Sequence, residues 1–124
     1  MDTNVALFAT AAPERISATV RAAIDEGVVF LSVVSYWEVM IKSMKGSLVV
    51  GEPQLWWMDT IEALSLLPMA LRPAHVSELR HLPTIHADPF DRILIAQTIA
   101  EELTFLTADT EIPQYASQRF RVIT

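Results

Sequence analysis

Hydrophobic positions along the chain recur with two different periods. Over residues 14–26 (ERISATVRAAIDE), Ile16, Val20, Ala23 and Ile24 share one face of a 3.6-residue repeat, which predicts an amphipathic helix ended by Gly27. Val28 to Val34 is then a continuous apolar, β-branched run of strand length, the pattern of a strand buried in a parallel sheet. Ser32 can cap a second helix that runs to about Lys45 and stops at Gly46. Residues 53–65 predict a third helix, opened by Pro53 and carrying Leu55, Trp56, Met58 and Ile61. Leu66 and Leu67 predict a short strand closed by Pro68, Pro73 to about Arg80 a short helix, and His81 to Ala87 a loop. Asp88-Pro89 starts a strong helix through about Glu102, followed by a strand from Leu103 to Thr107 and a weak last strand at Val122 and Ile123. Helices alternating with buried strands predict one α/β domain over residues 1–124, a sandwich with a mostly parallel sheet. Its opening is unusual. Such domains begin on an apolar strand, whereas this chain begins Met1-Asp2-Thr3-Asn4.

Composition adds a partner and removes several classes. With 52% apolar and 19% charged residues, the chain is expected to hide surface in its core and against another protein. It has no cysteine, which excludes disulfides and cysteine-held zinc and is compatible with a reducing cytoplasm. Val28 to Val34 is too short to span a bilayer, and Asp2 stands where a signal peptide needs a basic residue. The expectation is a soluble cytoplasmic protein with no membrane role. The net charge of −6 argues against nucleic acid as a partner, unless bound divalent cations offset it locally.

Four acids lie where sheet-carried sites are found, at strand ends and helix starts: Asp2, Glu38, Asp91 and Asp109. Brought together at roughly 5 Å, each pair would repel by about 3 kcal/mol at an effective dielectric of 20. Such a cluster requires protons or cations. Oxygen ligands without cysteine or paired histidine select Mg²⁺ or Mn²⁺, and such an ion activates water against a phosphodiester. Each acid also has a plainer reading. Asp88 before Pro89 is a helix N-cap, and Asp91 then favours the helix dipole. Glu38 can pair with Lys42 one turn on, Asp109 can cap the segment after its strand, and Asp2 can be a terminal charge. His75, His81 and His86 lack the spacing of a helical metal pair and are expected in loops or on the surface, His86 within reach of the acids. Trp56 and Trp57 cannot face one core together, so one of them is a candidate partner contact.

Taken together, these segments resemble the PIN-domain family, and within it the VapC-type toxins. Asp2-Thr3-Asn4 looks like the family's opening D-T-[HN]. Ser32 to Lys42 (SVVSYWEVMIK) looks like S-x-x-S-x-W-E-x-x-I-K, and His86 to Gln97 (HADPFDRILIAQ) is very close to H-x-D-P-F-D-R-x-L-I-A-Q. Leu106-Thr107-Ala108-Asp109 matches the segment that follows. The resemblance implies a three-layer α/β/α fold with Asp2, Glu38 and Asp91 as catalytic metal ligands and Asp109 completing the site. Asn4, Ser35, Asp88 and Thr107 would support it. It further implies a Mg²⁺-dependent (or Mn²⁺-dependent) endoribonuclease that cleaves RNA, forms a homodimer and is silenced by a cognate antitoxin.

The chain departs from the family at its start, where a few apolar residues normally precede the Asp-Thr pair and form the central strand. Either the natural start lies upstream or this form lacks the middle of its sheet, with two inner edges unpaired and Asp2 poorly anchored. The rival function is a PIN-like binding module that no longer cuts and acts through its antitoxin partner. A phosphatase-like site would need a second aspartate at position 4, which is Asn4, and a receiver would need a lone aspartate closing its third strand.

Overall fold

The computed structural model describes residues 1–83 and 88–124. The helices are α1 (Thr3–Ala11), α2 (Ala18–Glu26), α3 (Val33–Met44), α4 (Pro53–Leu64), α5 (Pro73–Glu78) and α6 (Pro89–Ala100). The strands are β1 (Phe30–Ser32) between α2 and α3, β2 (Leu67–Met69) between α4 and α5, then β3 (Thr104–Leu106) and β4 (Arg121–Ile123) after α6.

Side-chain caps explain most of the α-helix starts. Ser17 accepts from the Val20 amide at 3.1 Å, so the helix expected over 14–26 begins only at Ala18, while Pro13–Arg15 forms a separate 3₁₀ turn. Ser32 accepts from the Val34 amide at 3.0 Å. That cap cuts the apolar run short, so Phe30–Ser32 is strand and Val33 and Val34 already belong to α3. Pro68 lies inside β2 rather than after it, which an edge strand tolerates. Helix α1 has no counterpart in the sequence pattern. Its consecutive apolar residues show no period, yet Val5, Ala6 and Ala9 are all buried.

β1 pairs in parallel with β2, Leu31 opposite Pro68, and β3 pairs in parallel with β4, Phe105 opposite Val122. Among the described residues these form two separate two-stranded sheets. Between β1 and β3 lies a cleft of about 510 Å³, whose walls include Met1, Phe30, Gln97, Thr104 and Leu106. The chain meets this cleft at Met1. The Met1 ammonium donates to Phe30 O at 3.2 Å, and the Asp2 amide donates to Leu106 O at 2.9 Å. Consecutive residues thus donate to opposite strands, as a strand lying between two neighbours does. The expected gap in the middle of the sheet is present.

Three apolar clusters fill the space around the strands. Phe105 packs with Leu94, Ile95 and Ala96 of α6, while its neighbour Leu106 packs with Val5 of α1 and Val20 and Ile24 of α2. Strand β3 therefore carries helices on both faces, the α/β/α layering. The third cluster joins Leu31 of β1 to Ala6, Val39 and Trp56.

His75 corrects an expectation. It is fully buried on α5, not on a loop or the surface, and its ring bridges to α6. Nδ1 accepts from the Arg72 amide at 3.0 Å and lies 3.3 Å from the Gln97 side-chain nitrogen, while Nε2 lies 2.7 Å from Glu101 Oε1. A neutral ring protonated on Nε2 satisfies all three contacts. His81 is exposed as expected, and His86 lies outside the described residues.

Candidate functional site

Asp2 is the N-cap of α1 and is 4% exposed. Its Oδ1 accepts from the amides of Asn4 (2.7 Å) and Val5 (3.4 Å), and its Oδ2 from Thr107 Oγ1 (2.7 Å). With its own amide on β3, Asp2 is firmly held, contrary to the expectation of poor anchoring. Burial raises the Asp2 pKa above its ordinary value, against the opposing bonds from Thr107, Asn4 and Val5 and the nearby Met1 ammonium. The same burial lowers the Met1 ammonium to about 6, with Asp2 pulling the other way.

Thr107 couples Asp2 to Asp109. Its hydroxyl, fully buried at the end of β3, donates to Asp2 and accepts from the Asp109 amide at 3.0 Å. Asp109 Oδ1 in turn accepts from the Glu111 amide at 2.8 Å, which closes a turn just ahead of the 3₁₀ segment Ile112–Tyr115; the N-cap of that segment is Glu111, not Asp109 as expected. Asn4 contributes its backbone amide, and its side chain is exposed.

Glu38 projects from α3 and is 4% exposed. Its Oε1 accepts from Thr3 Oγ1 at 2.7 Å and its Oε2 from Lys42 Nζ at 2.5 Å. Thr3 has one hydroxyl hydrogen and gives it to the carboxylate. Ser35, fully buried and 2.9 Å from Thr3 Oγ1, is thus the donor in its own contact with Thr3. Asp2 and Glu38 are joined through adjacent residues of α1, since Asp2 caps the helix and Thr3 opens it.

Asp88 is the N-cap of α6, accepting from the Phe90 amide at 2.8 Å, as its Asp-Pro context predicts. Asp91 lies half-buried in the first turn. Lys42 links these two to Glu38: its pKa is raised first by the hydrogen bond to Glu38 and further by Glu38, Asp88 and Asp91 as charges. Beside the acids, Trp37 is 55% exposed and meets Phe90 edge-on, with ring centres 5.0 Å apart. The pair expected to divide between core and surface does so only in part. Trp56 is buried, but Trp57 stacks on Tyr36, and Trp37 is the exposed tryptophan.

A family model for the PIN domain matches residues 1–118 of this sequence. The chain belongs to the PIN-domain family. No curated protein matches the sequence significantly. Among solved structures, a chain of VapBC2 from Rickettsia felis, crystallised with a DNA fragment from the promoter, has the same fold. The TM-score is 0.69 at 13% identity, over 98% of this chain and 94% of that one. The α/β architecture is thus a PIN fold.

Within this PIN fold, the donors offered by Asp2, Glu38, Asp91 and Asp109 are all hard oxygens, which fits a divalent cation of the Mg²⁺ class. A cation already stands at Glu38 in the form of the Lys42 ammonium. Among the described residues, no three acidic or histidine side chains are placed to share one ion in this arrangement. The cleft between β1 and β3 is a separate feature, with none of the four acids in its walls. Two site residues escaped the sequence reading as individuals. Thr3 was legible only as the middle of a motif, and Lys42 only as a surface partner. No helix among the described residues is long and apolar enough to cross a membrane.

Proposed function

We propose that this PIN domain is a metal-dependent endoribonuclease of the VapC type, the toxin of a toxin–antitoxin pair that acts in the cytoplasm. The observation that carries this reading is a pair of buried carboxylates held from adjacent residues at the start of α1: Asp2 by Thr107, whose hydroxyl also takes the Asp109 amide, and Glu38 by Thr3, which Ser35 contacts in turn. Burying carboxylates is costly unless cations and hydrogen-bond donors compensate them, so two held this close together are suited to taking up a positive ion. Asp2, Glu38 and Asp91 would hold Mg²⁺ or Mn²⁺, with Asp109 completing the set. When bound, the ion supplies Lewis acidity toward a phosphate oxygen and lowers the pKa of water. The chain's own part is orientation. Thr107 fixes one oxygen of Asp2 and the α1 amides fix the other, while Thr3, steadied by Ser35, fixes one oxygen of Glu38.

The antitoxin reading is supported by the fold shared with the VapBC2 chain and by the exposed Trp37 against Phe90, an aromatic contact beside the acids. A homodimer is proposed from the family alone.

Cleavage of total bacterial RNA by the purified chain tests the reading, with Mg²⁺ or Mn²⁺, with chelator, and with Asp91→Asn. Discrete metal-dependent cuts are expected, with activity in Asp91→Asn reduced about a hundredfold or more. An Asp91→Asn variant as active as the parent would refute the metal-site assignment. No cutting by a correctly folded parent would favour the binding-module alternative.

A further inference from the structure

Both oxygens of Glu38 are already engaged, by Thr3 on one side and Lys42 on the other. The two partners differ in kind. Thr3 is buried and fixed at the first position of α1. Lys42 lies one turn along α3 on a flexible stem, with its side chain 42% exposed against 6% for Glu38. A half-exposed lysine therefore delivers its charge to a buried carboxylate. The same ammonium lies in the field of Asp88 and Asp91 at the start of α6, so one cation faces acids from two elements.

A surface pair at this spacing is a minor contact. This pair is different, because a buried carboxylate stripped of its counter-charge is strongly unfavourable. The ammonium and a divalent ion also compete for the same oxygen of Glu38, and they repel each other. We propose that Lys42 is a tethered counter-ion that occupies the acidic site in place of metal and swings into solvent when a divalent cation takes Glu38. This rests on the metal reading above and concerns the state that precedes metal binding. It accounts for the burial of Glu38 although, among the described residues, no three acids are placed to share an ion.

The test is calorimetric titration of Mn²⁺ into the full chain and into K42M, K42Q and K42R, with thermal melts of each. Methionine and glutamine keep the stem without the charge, and arginine keeps the charge. K42M and K42Q are expected to bind Mn²⁺ about tenfold more tightly than the parent, to melt lower without metal, and to gain more from it. K42R is expected to bind as weakly as the parent. If the parent binds Mn²⁺ and folded K42M or K42Q binds no more tightly, Lys42 has no such role while the metal reading stands. If none of the proteins binds Mn²⁺, both fall. Binding by K42M or K42Q alone would support the proposal in its strongest form.

Discussion

Met1 carries a charge into the protein interior, and its consequences follow by linkage. Its ammonium titrates near 6 when folded and near 8.0 as an ordinary amino terminus. Between these values the unfolded chain binds more protons, so stability rises with pH from about 6 to 8, by about 2–3 kcal/mol in all. Urea denaturation at pH 6, 7 and 8 should show this slope, and N-acetylation, which removes the charge, should flatten it. A slope unaltered by acetylation would mean the ammonium is not buried. Asp2 works in the opposite sense at lower pH. Its folded pKa is raised, so stability falls as pH climbs from 3.8 through the raised value. The local cap at Asp88 was readable from Asp-Pro. Thr107 as the partner of Asp2 was not, since the two stand at opposite ends of the chain and only the fold unites them.

Helix ends and helix contacts set the next scale. Helix α3 ends with Gly46 in the left-handed region (φ 77°), and Ser47 and Gly46 amides return to Lys42 and Ser43 carbonyls. Helix α6 ends in the same motif, with Leu103 and Glu102 amides returning to Thr98 and Ile99, but Glu102 takes the left-handed position at φ 55°. Side chains are strained there and glycine is not. Glu102→Gly is expected to stabilise the protein by about 0.5–1 kcal/mol, read as a higher urea midpoint with unchanged slope. A lower midpoint would count against the motif. Packing of α5 on α6 depends on His75. Replacing it by alanine removes the acceptor for the Arg72 amide and the donor to Glu101, and is expected to cost about 2–4 kcal/mol. A loss under 1 kcal/mol in denaturant melts would show that the clamp is dispensable. Gly46 is a stop signal any reader of the sequence can see. The end of α6 and the burial of His75 are not, because a glutamate and a histidine carry no such mark.

Across the whole molecule, the cleft between β1 and β3 is the largest departure from a continuous sheet. Met1 and Asp2 already donate to both walls, so chain extended backward from Met1 would continue between the two strands. Three or four apolar residues placed ahead of Met1 are expected to pair with β1 and β3 and raise the melting temperature by several degrees. A glycine–serine extension of equal length serves as the control. Equal melting temperatures for the two would show that the cleft does not accept a strand. The opening of the chain is where pattern reading both succeeded and failed. It foresaw the gap, from the lack of an apolar run, but missed α1, whose residues are apolar on every side.

What the sequence determined by itself is local or repetitive. The amphipathic and buried periods, the caps at Ser32 and Asp88, and the motif-bearing segments around Asp2, Glu38, Asp91 and Asp109 led to the α/β fold and the PIN family. What only the tertiary structure decided is which groups meet. Hydrogen bonds such as Thr3 to Glu38 and Thr107 to Asp2 span 35 and 105 residues, and the burial of Glu38 beside Lys42 likewise comes from elements packed around it. Period and propensity act over a few residues, whereas desolvation and partner choice depend on every element packed around a group.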